Sequence, residues 1–192
     1  MKHLSSRPCM RAQLCQHLAT LDVAGLWIAL ISLRLILGWD FFESGLEKFN
    51  GENWFADIQD QFPFPFNLVP PNISWQMATW FELLGGVALV IGFATRFFSV
   101  SLLVLSVVAI ASVHWPQAWH TWGELAQGYV FTDKGFGNFK YPVVLMGMLW
   151  TLLWMGPGRL SVDYGLRWRI CAAHSAATPA RLTASISHKP CL

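Results

Sequence analysis

The stretch Asp22–Phe42, DVAGLWIALISLRLILGWDFF, decides the fold class of this chain. At 1.5 Å per residue it makes a helix of about 30 Å, the thickness of bilayer hydrocarbon. It is apolar almost throughout, and Arg34 lies inside it. A charge at the bilayer centre costs about 3 kcal/mol or more unless it is paired. The stretch therefore predicts a membrane helix with a polar site in it.

Three more apolar stretches follow, at about 74–94, 97–115 and 139–156, and the first of them carries a second charge, Glu82. Ahead of 22–42 the basic residues resemble the start of a signal peptide. The apolar run is too long for one, contains Arg34 and lacks a small-residue cleavage site, so it reads as a retained helix. Composition agrees: the 192 residues are 54% hydrophobic and 12% charged, with 11 Trp and 14 Phe. A soluble domain carries about 25% charged residues, so the deficit points to the lipid bilayer as the main solvent. The expected architecture is an all-α integral membrane protein, a four-helix transmembrane bundle over 22–158, with an N-terminal tail, 1–21, and a basic, partly disordered tail, 159–192. Nucleic acid is excluded as a partner by the net charge of +2 and the lack of a basic face interleaved with aromatics.

Charge outside the spans assigns the sides. Lys2, Arg7, Arg11, Arg96, Arg159, Arg167, Arg169, Arg181 and Lys189 fall on one side, against Lys48, Lys134 and Lys140 on the other. By the positive-inside rule both termini are cytoplasmic, and an even number of crossings agrees. Two loops then face outward. The first, about 43–73, holds Glu43, Glu47, Glu52, Asp57 and Asp60 and the run Phe62-Pro63-Phe64-Pro65-Phe66. The second, about 116–138, follows Trp115 and has Trp119 and Trp122 at helical spacing from it, which predicts a short interfacial helix anchored by tryptophan.

On the first helix Arg34, Gly38, Gly45 and Lys48 share a stripe if the helix continues through Lys48; on the second, Glu82 is followed by Gly85 and Gly86. Glycine lets helices approach closely. Arg34 and Glu82 each lie eight residues from the outer end of their expected spans, so an Arg34–Glu82 ion pair is expected at roughly 12 Å depth. Such a pair could serve as a structural register pin or as a pocket for a polar ligand head, with Asp40, Glu43 and Lys48 at its mouth.

His114 and His120 flank Trp115 and Trp119 and are weak metal candidates, because no third ligand stands at a diagnostic spacing. Cys9 and Cys15, near His3 and His17, and Cys171 and Cys191, near His174 and His188, lack zinc-site spacing. They read as free thiols on loose ends in a reducing compartment ahead of a soft-metal cluster joining the tails.

These residues also carry a resemblance. Arg34-Leu-Ile-Leu-Gly38 continuing to Phe42, Gly45 and Lys48 resembles the first-helix signature of the DoxX family of small four-helix bacterial inner-membrane proteins. Glu82-Leu-Leu-Gly85-Gly86 with Gly92, Thr95 and Arg96 is similar to its second-helix pattern, and Gly156-Pro-Gly158-Arg-Leu160-Ser161-Val-Asp163 to the segment closing its last helix. The stretches His114-Trp-Pro-Gln-Ala-Trp119 and Gly135-Phe-Gly137-Asn138-Phe139-Lys140 resemble the HvfX type, encoded beside copper-binding modified peptides. The resemblance implies a multi-pass inner-membrane protein that supports maturation of such peptides, with proteins of that biosynthesis system as partners. It also implies an oxidoreductase label, since the wider family includes a subunit of a thiosulfate:quinone oxidoreductase. A quinone held at Arg34 and Glu82 would fit; no haem, flavin or paired-cysteine motif accompanies them. Two other readings stay open: a small-solute or peptide transporter, which would need a homo-oligomer for symmetry, and a non-catalytic docking platform for a soluble enzyme.

Overall fold

The computed structural model describes residues 10–116, 118–130 and 138–177, and all regular structure among them is helical. Helix α1, Met10–Asn50, runs unbroken for 41 residues because no proline interrupts it. Positions 14–26 are all exposed, and the buried face begins only at Leu30. From there Leu30, Arg34, Leu37, Gly38, Phe41 and Gly45 repeat at three- and four-residue spacing, one stripe of a helix. After Gly51 the chain makes two short 3₁₀ turns, Phe55–Gln61 and Phe66–Leu68.

Helix α2, Pro71–Ile91, starts on a proline, whose missing N–H is spared at a helix's first turn, and ends on Gly92 at φ 71°. The reversal is tight: α3, Thr95–Ala109, begins after Ala94, itself at φ 45°. At its far end α3 widens into a π-turn, Ile110–His114, closed by the Trp115 amide donating to Ile110 at 2.7 Å. A short helix α4, Trp122–Gln127, is opened by a capping box between Thr121 and Glu124. Helix α5, Lys140–Met155, ends at Gly156, and α6, Val162–Ala177, follows.

Helices α1, α2, α3 and α5 share one core: Leu30, Leu37 and Phe41 from α1, Leu89 from α2, Leu102 from α3, and Leu145, Leu149 and Leu152 from α5. A second cluster, Phe55, Phe62 and Trp75, joins the first long loop to α2. Two helices among the described residues, Leu14–Asn50 and Thr95–His114, are long and apolar enough to cross a bilayer, and Lys140–Met155 is a shorter apolar helix. The start of α1, the α2–α3 turn and α6 lie at one end of the packed helices, called here the turn end. The first long loop and the π-turn lie at the other, the loop end.

One expectation needs correction. Trp115, Trp119 and Trp122 do not share a helix; α4 begins at Trp122, and Pro116 lies between the π-turn and the residues before it. Trp115 instead stacks on Phe139, ring centres 5.4 Å apart. The expected first span, 22–42, lies within the longer apolar helix Leu14–Asn50. The expected tail at 159–192 opens with α6; its residues beyond 177, like the tail at 1–9, lie outside the described residues.

Candidate functional site

Helices α1 and α2 lock through glycines. A Cβ on Gly86 would sit 2.7 Å from the Gly38 carbonyl oxygen, and one on Gly45 2.8 Å from the Leu83 amide nitrogen. This contact sets the register and separates the two charges expected to pair. Arg34 lies beside Leu89 and Val90, while Glu82 lies beside Ser44, Gly45 and Lys48. The expected Arg34–Glu82 pair is not formed. Seven or eight residues of α2 separate their levels, roughly 11 Å along the helix.

Arg34, 4% exposed, is a clasp at the turn end. Its Nε donates to the Leu89 carbonyl at 2.9 Å and its Nη2 to Val90 at 2.6 Å, two carbonyls left over where α2 ends. Its Nη1 donates to Pro157 at 2.9 Å and Leu160 at 2.8 Å. Four of its five N–H groups are thus engaged. A Cβ on Gly92 would come 2.8 Å from the guanidinium, so the sequence needs glycine there twice, for space and for φ. Asp163 completes the clasp: its carboxylate accepts from the Ala94 and Thr95 amides, at 2.7 and 2.9 Å, capping α3. The segments 92–96 and 156–163 are therefore one interlocked unit around Arg34, and neither lines a ligand cavity with Glu82.

Glu82, 3% exposed, meets Lys48. The ammonium donates to both carboxylate oxygens, at 2.8 and 3.0 Å, and to Ser44 Oγ at 2.8 Å. All three lysine donors are used, and the buried carboxylate is neutralised by its partner rather than left bare. Asp40, one turn before Ser44 on α1, accepts a hydrogen bond from Tyr141 of α5.

These groups border a cavity of about 660 Å³ in the loop-end half of the bundle. Asp40, Ser44, Lys48, Glu82, Tyr141 and His114 supply its polar margin; its walls are apolar, with Phe41, Phe81, Val104, Leu105 and Leu145 among them. The aromatic loop cluster roofs it. Of the residues expected to form a polar site, the structure brings Lys48, Glu82 and Asp40 together and leaves Arg34 out. Of the packing glycines, Gly38, Gly45 and Gly86 face across α1 and α2, while Gly85 receives Leu102 of α3. Sequence reasoning missed Tyr141, Ser44 and the roof.

His114 lines the cavity at the end of the π-turn and its Nδ1 bonds Asn138. His120 gives only its backbone amide, to Glu124. Among the described residues no group of three His, Cys, Asp or Glu could hold a metal ion. Cys15 and Cys171 are exposed free thiols; Cys9 and Cys191 lie outside the described residues.

The family model for DoxX matches residues 29–115. A protein of Haemophilus influenzae (strain Rd), described as an uncharacterized protein, is 44% identical over 139 residues, which cover 72% of this chain and 83% of that one. No solved structure matches the chain.

Proposed function

The chain belongs to the DoxX family, and on that premise we propose that it is a multi-pass inner-membrane protein binding a lipid-soluble ligand in the loop-end cavity. In this reading α1, α2, α3 and α5 cross the bilayer and both termini are cytoplasmic. The turn end carries Arg96, Arg159, Arg167 and Arg169, which supports that orientation. The cavity then opens into the outer leaflet.

The observation that carries the proposal is a buried Lys48–Glu82 pair at the margin of an otherwise apolar cavity of about 660 Å³. That size and lining suit a small molecule held by one or two directional contacts. A quinone head fits: Lys48 can turn a donor from Ser44 toward a carbonyl oxygen while Glu82 balances its charge. A quinone so bound would supply two-electron redox chemistry, and the chain's own part is to hold the head, exclude water and keep a proton donor beside it. The segment around His114–Trp119 resembles the HvfX type, which makes maturation of copper-binding modified peptides the process this chemistry would serve.

The test is direct. Protein purified from membranes in mild detergent is extracted and its lipophilic contents identified by mass analysis, for wild type, Lys48→Met and Glu82→Gln. A quinone or similar amphiphile near one per chain in wild type, and depleted in both variants, is expected. Equal contents in all three would separate the cavity from ligand binding.

A further inference from the structure

The cavity is roofed by aromatic side chains at the loop end and opens toward the side. At the loop end Phe55, Phe62 and Trp75 are 8%, 7% and 7% exposed and pack edge to face, with Phe55–Trp75 ring centres 5.0 Å apart. Ala78 of α2 and Val108 of α3 pack up against this roof. Among its lining residues Met77 is 47% exposed, Val100 45%, Val104 46%, Val113 46%, Tyr141 46% and Trp54 41%, and the first three stand on α2 and α3. Lining residues this exposed mark where the cavity wall is thin or open.

The breach has a structural cause. Helices α2 and α3 are held together at the turn end, where the reversal at 92–94 joins them and Leu102 fills the space beside Gly85, 3.1 Å from where a Cβ would lie. On the loop-end side of that contact the cavity is lined by small or slender side chains, Ala78 on α2 and Val104 and Val108 on α3, while Val100 and Ser101 stand just before Leu102.

We propose that this α2–α3 crevice is the entrance to the cavity, and that its ligand is a long-chain amphiphile already dissolved in the bilayer, which slides in head first. The head reaches Lys48 and Glu82; the chain trails out past Met77, Val100 and Val104 into the outer leaflet. This rests on the membrane-spanning reading above. Every residue named at the breach is apolar or a serine, as a path for acyl or isoprenoid chains requires, whereas a water-soluble substrate would have to pass the aromatic roof.

The full chain is reconstituted in liposomes with Cys9, Cys15, Cys171 and Cys191 replaced by serine and a bimane fluorophore placed on Ala109→Cys, a cavity-wall position. Quenching is read with phosphatidylcholine bearing a doxyl group on its acyl chain, and separately with aqueous iodide. The doxyl chain should quench the cavity site and iodide should not. Val104→Trp, which fills the crevice beyond Leu102, should abolish the doxyl quenching; Val104→Phe does the same job if the tryptophan variant does not fold. A bimane on Gly147→Cys, a lipid-side position of α5 with open space around it, should be quenched with or without the plug. Iodide quenching of the cavity site, or doxyl quenching that survives both plugs, overturns the proposal. Because no natural ligand is needed, failure here is distinct from failure to find an amphiphile in the extracted protein.

Discussion

At the scale of single residues the two charges once expected to pair do opposite work. Glu82 is buried with a partner 2.8 Å away, so removing Lys48 alone leaves a carboxylate without compensation. Breaking such a pair from one side costs about 3 kcal/mol, while replacing both members with apolar groups is often near neutral. Lys48→Met should therefore lower thermal stability in detergent markedly, and Lys48→Met/Glu82→Leu should restore most of it while still binding no ligand. A double variant as unstable as the single would mean the pair holds the helices together. Arg34 gives a contrasting prediction. Lysine keeps the charge but offers three donors from one atom, which cannot span Leu89 and Val90 on α2 and the carbonyls of Pro157 and Leu160. With charge-assisted bonds worth about 1.5–3 kcal/mol each, Arg34→Lys should lose about 3 kcal/mol or more. It should also expose the 156–161 segment to protease, while any co-purifying ligand stays bound in the protein that remains folded.

At the scale of elements, α1 and α2 are fixed by close backbone contact on top of the apolar core they share. Lipid tails are as apolar as leucine, so helices in a bilayer are held by close packing and polar contacts. Gly86→Ala would drive a methyl group to 2.7 Å from the Gly38 carbonyl oxygen, a clash with backbone that no rotamer can relieve. The cost should be about 1–3 kcal/mol, the usual range for overpacking. Gly147→Ala, with nothing within 4 Å of its added Cβ, should be neutral or slightly stabilising, and a detergent melting series compares them. This interface also shows what the sequence could and could not tell. Glycines at Gly38, Gly45, Gly85 and Gly86 beside charged residues announce close approach, and they do pack closely. Which glycine faces which depends on register, and hydropathy is blind to it. Helix α1 continues to Asn50, past the expected outer end at Phe42, so counting from that end misplaced Arg34 against α2. The carbonyls that satisfy Arg34 are equally invisible, because every residue has one. The π-turn at Ile110–His114, which carries His114 to the cavity margin, leaves no side-chain pattern either.

For the whole molecule, which end faces the cytoplasm decides which leaflet supplies the cavity. The described part of α1 starts at the turn end and α6 lies there too, so one impermeant reagent can interrogate both ends of the chain. Cys15 and Cys171 are exposed native probes on those helices. With Cys9 and Cys191 replaced by serine, a charged maleimide should label both in inside-out vesicles and neither in intact spheroplasts. Glu52→Cys, in the first long loop, should give the reverse pattern. The expectation follows from Arg96, Arg159, Arg167 and Arg169 gathered at the turn end, with Arg159 stacked 4.8 Å over Trp27. Labelling of Cys15 and Cys171 from opposite sides would break the even-crossing topology and with it the common depth of α1 and α2. Labelling of both from outside would keep the bundle but invert it. The Lys48–Glu82 cavity would then draw on the cytoplasmic leaflet, and its ligand would have to be available there.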